Sequence, residues 1–164
     1  MTNLKDEIGS ANEKYAENFK DGDLLAPPVK KIAVLSCMDA RISIKDILGL
    51  KLGDAHIIRN AGGIATDDAI RSLLLSHELL GTEEFIVINH TDCGLLKYKD
   101  NELKKKISDK FNIDASTLKF HCFSNLEENV REQIKKIKSS PFFPNVPIHG
   151  YIYDVKTGKI NNIV

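Results

Sequence analysis

Cys37, His90 and Cys93 are the side chains of this sequence best suited to hold a metal. His90 and Cys93 are three residues apart, so a single turn can bring both onto one ion. Cys37 lies far upstream and must be delivered by the fold. Two thiolates and one imidazole make three of the four vertices of a tetrahedral zinc shell, and three protein ligands with one open position is the pattern of a catalytic site. Asp39 and Arg41 follow Cys37 closely. A carboxylate beside zinc can accept a hydrogen bond from water and orient it. A guanidinium can grip that carboxylate at both oxygens and keep it ionised. The same pair would also serve as a helix-capping aspartate beside a surface arginine, and spacing alone does not choose. The chain has 3 cysteines. An odd count favours metal binding or catalysis over disulfides. Cys122 reads as a small buried hydrophobe.

The elements that must position these residues follow from the apolar pattern. Ile32-Ala33-Val34-Leu35 precedes Cys37, and Phe85-Ile86-Val87-Ile88 precedes His90. Such runs read as buried parallel strands, over about 31–36 and 84–89. In an open α/β sheet, ligands gather outside the carboxyl ends of the strands. A third strand, Ala55 to Arg59, ends at the same edge in Asn60-Ala61-Gly62-Gly63. Adjacent glycines there permit close approach of backbone to a ligand, or simply a turn.

Leu4, Ile8, Ala11, Tyr15 and Phe19 mark an amphipathic helix within residues 1–20, which must dock on its own domain or on a second subunit. Pro27-Pro28 sets an extended lead into the first strand. Further helices are expected at 42–50, from an N-cap at Thr66 to about Leu80, at 100–111 and at 125–139. Their inward residues are Ile44, Ile47 and Leu48; Ile70, Leu73, Leu74 and His77; Leu103, Ile107 and Phe111; and Leu126, Val130, Ile134 and Ile137. Strands at 148–154 and 159–163 close the chain. The alternation implies an α/β fold, a mainly parallel central sheet of about five strands flanked by helices, with the last strand antiparallel at the edge. All 164 residues read as one domain, with the zinc-site core in 30–98.

Equal numbers of basic and acidic residues, 23 each, give no field for nucleic acid. No apolar run approaches the roughly 20 residues that span a bilayer, and the start lacks the layout of a signal peptide. The expectation is a cytoplasmic protein. No G-x-G-x-x-G supports a dinucleotide site.

Taken together, Cys37-x-Asp39-x-Arg41, Arg59-Asn60-Ala61-Gly62 and His90-x-x-Cys93-Gly94 resemble the β-class carbonic anhydrases, most of all a short bacterial subgroup. The resemblance implies one Zn2+ per subunit on Cys37, His90 and Cys93, and an Asp39–Arg41 dyad. It implies reversible hydration of carbon dioxide to bicarbonate and a proton. Substrate contacts would fall on Asn60, Ala61 and Gly62. The N-terminal helix would embrace a partner in a homodimer or dimer of dimers. In some members the equivalent aspartate leaves the arginine and becomes a fourth ligand. Many members place a glutamine ahead of the first cysteine, whereas the only glutamine here is Gln133, far down the chain. His56, His77, His121 and His149 are available as proton carriers, and none is singled out. Carbon disulfide hydrolases share the scaffold and ligand set, so a CS2 substrate is the alternative. A non-catalytic zinc or bicarbonate-binding protein would have no use for the dyad. A redox role for the cysteines lacks a C-x-x-C pair.

Overall fold

Strand β1, Ile32–Cys37, is an inner strand around which the other elements are laid out. The computed structural model describes residues 3–164. In chain order the elements are α1 (Leu4–Glu17), β1, α2 (Ile44–Ile47), β2 (Ala55–Asn60), α3 (Asp67–Glu78), β3 (Glu84–His90), α4 (Asp100–Phe111), α5 (Leu126–Lys138), β4 (Ile148–Tyr153) and β5 (Ile160–Asn162). Single 3-10 turns at Ala61–Gly63 and Gly94–Leu96 follow β2 and β3. The sheet order is β2-β1-β3-β4-β5. Its first four strands are parallel, and β5 is antiparallel at the edge. The expected α/β architecture is therefore present. Short apolar runs joined through helices leave parallel pairing as the economical solution.

Each face of the sheet buries its own cluster. Ala33, Leu35, Phe85, Val87, Ile148 and Ile152 pack against α3 and α5. On the other face Val34 and Ile88 meet Ile42, Ile44, Leu50, Cys37 and Cys93, with Leu95, Leu96 and Phe123 closing over them. Thr66 caps α3 by accepting the N–H of Ala69.

Two expectations change. The helix expected at 42–50 is one turn, because Gly49 at φ +62° breaks the ladder. Phe111 is exposed rather than inward, and α4 buries none of its residues. The Lys110 ammonium sits 5.2 Å from the exposed Phe111 ring centre. Helix α1 also has no buried residue, so its apolar stripe is turned away from its own domain. Among the described residues, no helix is long and apolar enough to cross a membrane.

Candidate metal centre

Cys37 and His90 are the last residues of β1 and β3, which pair in parallel, so both arrive at the carboxyl edge of the sheet. Asp92 then takes φ +55°, a conformation its short polar side chain tolerates. Cys93 follows directly, within reach of the His90 ring. The ligand atoms of Cys37, His90 and Cys93 all lie within 4.8 Å of one another, and all three residues are buried.

The chemistry of this cluster fits a metal ion. The Nδ1–H of His90 donates to the Thr91 carbonyl at 2.8 Å, which fixes the ring and aims Nε2 into the cluster. Nε2 is the one buried side-chain nitrogen or oxygen among the described residues without a hydrogen-bond partner. A buried polar atom left unsatisfied is costly unless something else engages it. The hydrogen bond from Cys93 lowers the Cys37 thiol well below its ordinary range, against the effect of burial, and His90 and the backbone of Asp39 and Gly62 add to it. Giving that hydrogen bond raises Cys93, as does burial. Burial opposes a charge on His90, but the facing Cys37 sulfur outweighs it and the ring lies above its ordinary value. A cation in this cluster would take the place of those protons.

Arg41 grips Asp39 at both oxygens, Nε to Oδ1 at 2.9 Å and Nη2 to Oδ2 at 2.7 Å. The Arg41 N–H also donates to Oδ1 at 2.9 Å. These bonds hold the Asp39 carboxyl far below the usual carboxylate range. Oδ2 lies 3.9 Å from His90 Nε2, so the dyad stands beside the ligand cluster. Arg41 also reaches the second loop, donating from Nη1 to Asp92 Oδ2 at 2.9 Å. Lys97 pairs with the other Asp92 oxygen at 2.7 Å. The two ligand-bearing loops are thus tied by one line of charges.

Arg59 and three buried amides, none of them expected at the site, help to build it. Asn60 holds backbone with its side chain, and Gly62 the Cys37 sulfur with its N–H, rather than offering these to a substrate. Arg59 stands opposite Ser36 on β2 and donates to the carbonyls of Cys37, at 2.9 Å, and Asp39, at 2.7 Å. Its place at the carboxyl end of a strand was the readable signal. Both ends of the Asn60 amide are spent on the backbone of Ile64, at 2.7 and 2.8 Å, which folds residues 61–63 into their turn. That turn aims the Gly62 N–H at Cys37 Sγ, 3.3 Å away. Asn89, Asn129 and Gln133 form a buried amide chain behind it. The last two lie on the same face of α5 as its apolar residues, and that interruption by amides was legible.

Three of the other histidines lie away from the site, while His121 lines a cavity with Ile64, Phe123 and Gln133. His56 bonds to Ser76 and the Ala26 carbonyl, His77 to the Thr82 carbonyl, and His149 to Glu84. His56, His149 and Glu84 stand near the amino ends of their strands, opposite the ligand cluster. Cys122 is part-buried, and burial beside Asp100 pushes its thiol up to about 11, so it stays protonated.

A family model described as carbonic anhydrase matches residues 32–160. The chain is 43% identical over 161 residues to β-carbonic anhydrase 1 of Mycobacterium tuberculosis, covering 98% of each. It is 34% identical over 178 residues to a carbon disulfide hydrolase of Acidithiobacillus thiooxidans, covering 96% of this chain and 89% of that one. Its structure matches the crystal structure of a carbonic anhydrase from Streptococcus mutans with a TM-score of 0.95 and 39% identity, covering 100% of this chain and 99% of the other.

Proposed function

Because the chain belongs to the carbonic anhydrase family, in its β class, we propose that Cys37, His90 and Cys93 hold one zinc ion per subunit and that carbon dioxide and bicarbonate are interconverted beside it. The observation that carries this is a buried Cys–His–Cys cluster, with its ligand atoms within 4.8 Å, set against an ionised Asp39. When bound, zinc lowers the pKa of water and so makes hydroxide available near neutral pH.

The protein's own residues do the rest. Asp39 carries no proton in the working range, so Oδ2 can only accept, and it orients an O–H at the cluster. Arg41 holds Oδ2 in that place, and Asp92 holds Arg41. Leu95 and Phe123, packed on the cluster that contains both cysteines, present an apolar wall suited to a small apolar substrate and poor for bulk water. The backbone of Ala61 and Gly62 borders this space, and Asn60 serves by shaping their turn.

The exposed stripe of α1 supports a homodimer, or a dimer of dimers, with that helix laid on a second copy. Three free thiols support a reducing, cytoplasmic setting. The likeness to a carbon disulfide hydrolase keeps CS2 as a second substrate to assay, since the ligand set is common to both readings.

The test is stopped-flow CO2 hydration by the zinc-loaded protein at about pH 8.5, with Asp39→Asn alongside. Loss of a positioned proton acceptor should slow the reaction by about 10²-fold or more. A folded, zinc-loaded protein without hydration would overturn the reading, and CS2 hydrolysis would be measured next.

A further inference from the structure

The most extended buried polar feature outside the ligand cluster is a chain of side-chain amides running from α5 to the turn beside Cys37. The Ala65 N–H donates to Gln133 Oε1 at 2.9 Å. Gln133 Nε2 donates to Asn129 Oδ1 at 2.8 Å, and Asn129 Nδ2 to Asn89 Oδ1 at 2.7 Å. Asn89 Nδ2 then donates to the Gly62 carbonyl at 3.0 Å. All three side chains are more than nine-tenths buried. Every link points the same way, so each amide polarises the next. Both ends of the chain close on one loop, at Gly62 and Ala65, and that loop carries the N–H that meets Cys37 Sγ.

We infer that Asn89, Asn129 and Gln133 are positioning residues for the metal centre, setting the distance from the Gly62 N–H to the Cys37 sulfur and with it the sulfur's strength as a ligand. The inference rests on the proposed zinc site. Asn129 and Gln133 are buried on an otherwise apolar face of α5, where apolar side chains would pack without needing partners. Hydrogen bonds to a ligand from outside the ligand set commonly change metal affinity by about 10–100-fold.

The experiment uses the full-length protein loaded with cobalt(II), whose thiolate charge-transfer band reports the Cys37 and Cys93 bonds together, only the first of which the Gly62 N–H meets. Gln133→Met keeps the volume of the side chain and removes both of its hydrogen bonds, and Asn129→Ala cuts the chain one link further on. Val130→Ala, on the same helix, removes packing and no amide bond. Gln133→Met and Asn129→Ala should each shift the band and weaken metal affinity in chelator competition by about 10-fold or more, with the double variant no worse than the stronger single one. Val130→Ala should lower the melting temperature and leave the band in place. If Gln133→Met, folded, keeps the wild-type band and affinity, the inference is overturned, and the amides serve stability alone. If the wild type itself shows no thiolate band, it is the zinc reading that fails. Should Asn129→Ala not fold, Gln133→Met decides by itself.

Discussion

Gly63→Ala tests how tightly the turn after β2 is held against the end of β1. Gly63 has φ +63°, and a β-carbon there would stand 2.8 Å from Asn89 Nδ2 and 3.1 Å from both the Cys37 nitrogen and the Ser36 carbonyl carbon. Two costs follow. Alanine in the left-handed region costs about 1–2 kcal/mol. Crowding against backbone that cannot rotate away costs about 1–3 kcal/mol more. The sum, about 2–5 kcal/mol, corresponds to a melting temperature lower by about 4–20 °C for a domain of this size. Gly158→Ala isolates the first cost, because Gly158 has φ +74° and nothing within 4 Å of its β-position. It should lose only about 1–2 kcal/mol. Alanine also restricts the unfolded chain in both variants, a gain of about 0.4–1 kcal/mol that cancels in the difference. Urea unfolding of the wild type and both variants at one protein concentration measures the comparison. Gly63→Ala should in addition release metal more readily, since the displaced turn carries the Gly62 N–H away from Cys37. Equal destabilisation by the two substitutions would refute the close approach and the reasoning built on it.

Other outcomes follow from the site and the unpartnered helix. Hydration should accelerate from roughly pH 6.5 to 9, because two thiolate ligands cancel the charge of Zn²⁺ and leave water less acidic than three imidazoles would; a flat profile would contradict this. Asp39 does not produce the rise. Its carboxyl is depressed by Arg41, so it has lost its proton throughout that window, and its pairing would fail only as the pH falls through its lowered folded value. Deleting residues 1–20 removes Leu4, Ile8, Tyr15 and Phe19, each 44–68% exposed on the single chain. Sedimentation should then report single chains or unstable protein, and a truncated dimer of full activity would rule out α1 as the clasp.

The ligand cluster was legible because cysteine and histidine are informative at the ends of apolar strand runs, where an open α/β sheet collects its chemistry. Asp39 and Arg41 were legible by proximity to Cys37, and the structure removes the alternative of an idle surface arginine by showing both carboxylate oxygens gripped. The tie from Arg41 to Asp92 was not legible. It joins two loops distant in sequence, and nothing within either loop names the other residue as its partner. Helix α1 shows the limit from another side. Its period of three to four was read correctly, but a period says that a face must be covered and not by what. All of that face lies away from its own domain.

Helix α5 shows what an apolar pattern conceals. Leu126, Val130, Ile134 and Ile137 recur at helical spacing, and reading for that spacing alone treats whatever lies between them as solvent-facing. Asn129 and Gln133 each sit one residue before a member of the stripe, four apart, and so on the same face. A polar residue on such a face must be satisfied by a specific partner, and two at this spacing can satisfy one another only in part. The remaining donor and acceptor have to be met from elsewhere, and in this fold they are met by Asn89, next to the zinc-ligand candidate His90, and by Ala65. Two amides on a buried helical face therefore pointed to a fixed polar destination, and the destination is the turn against Cys37.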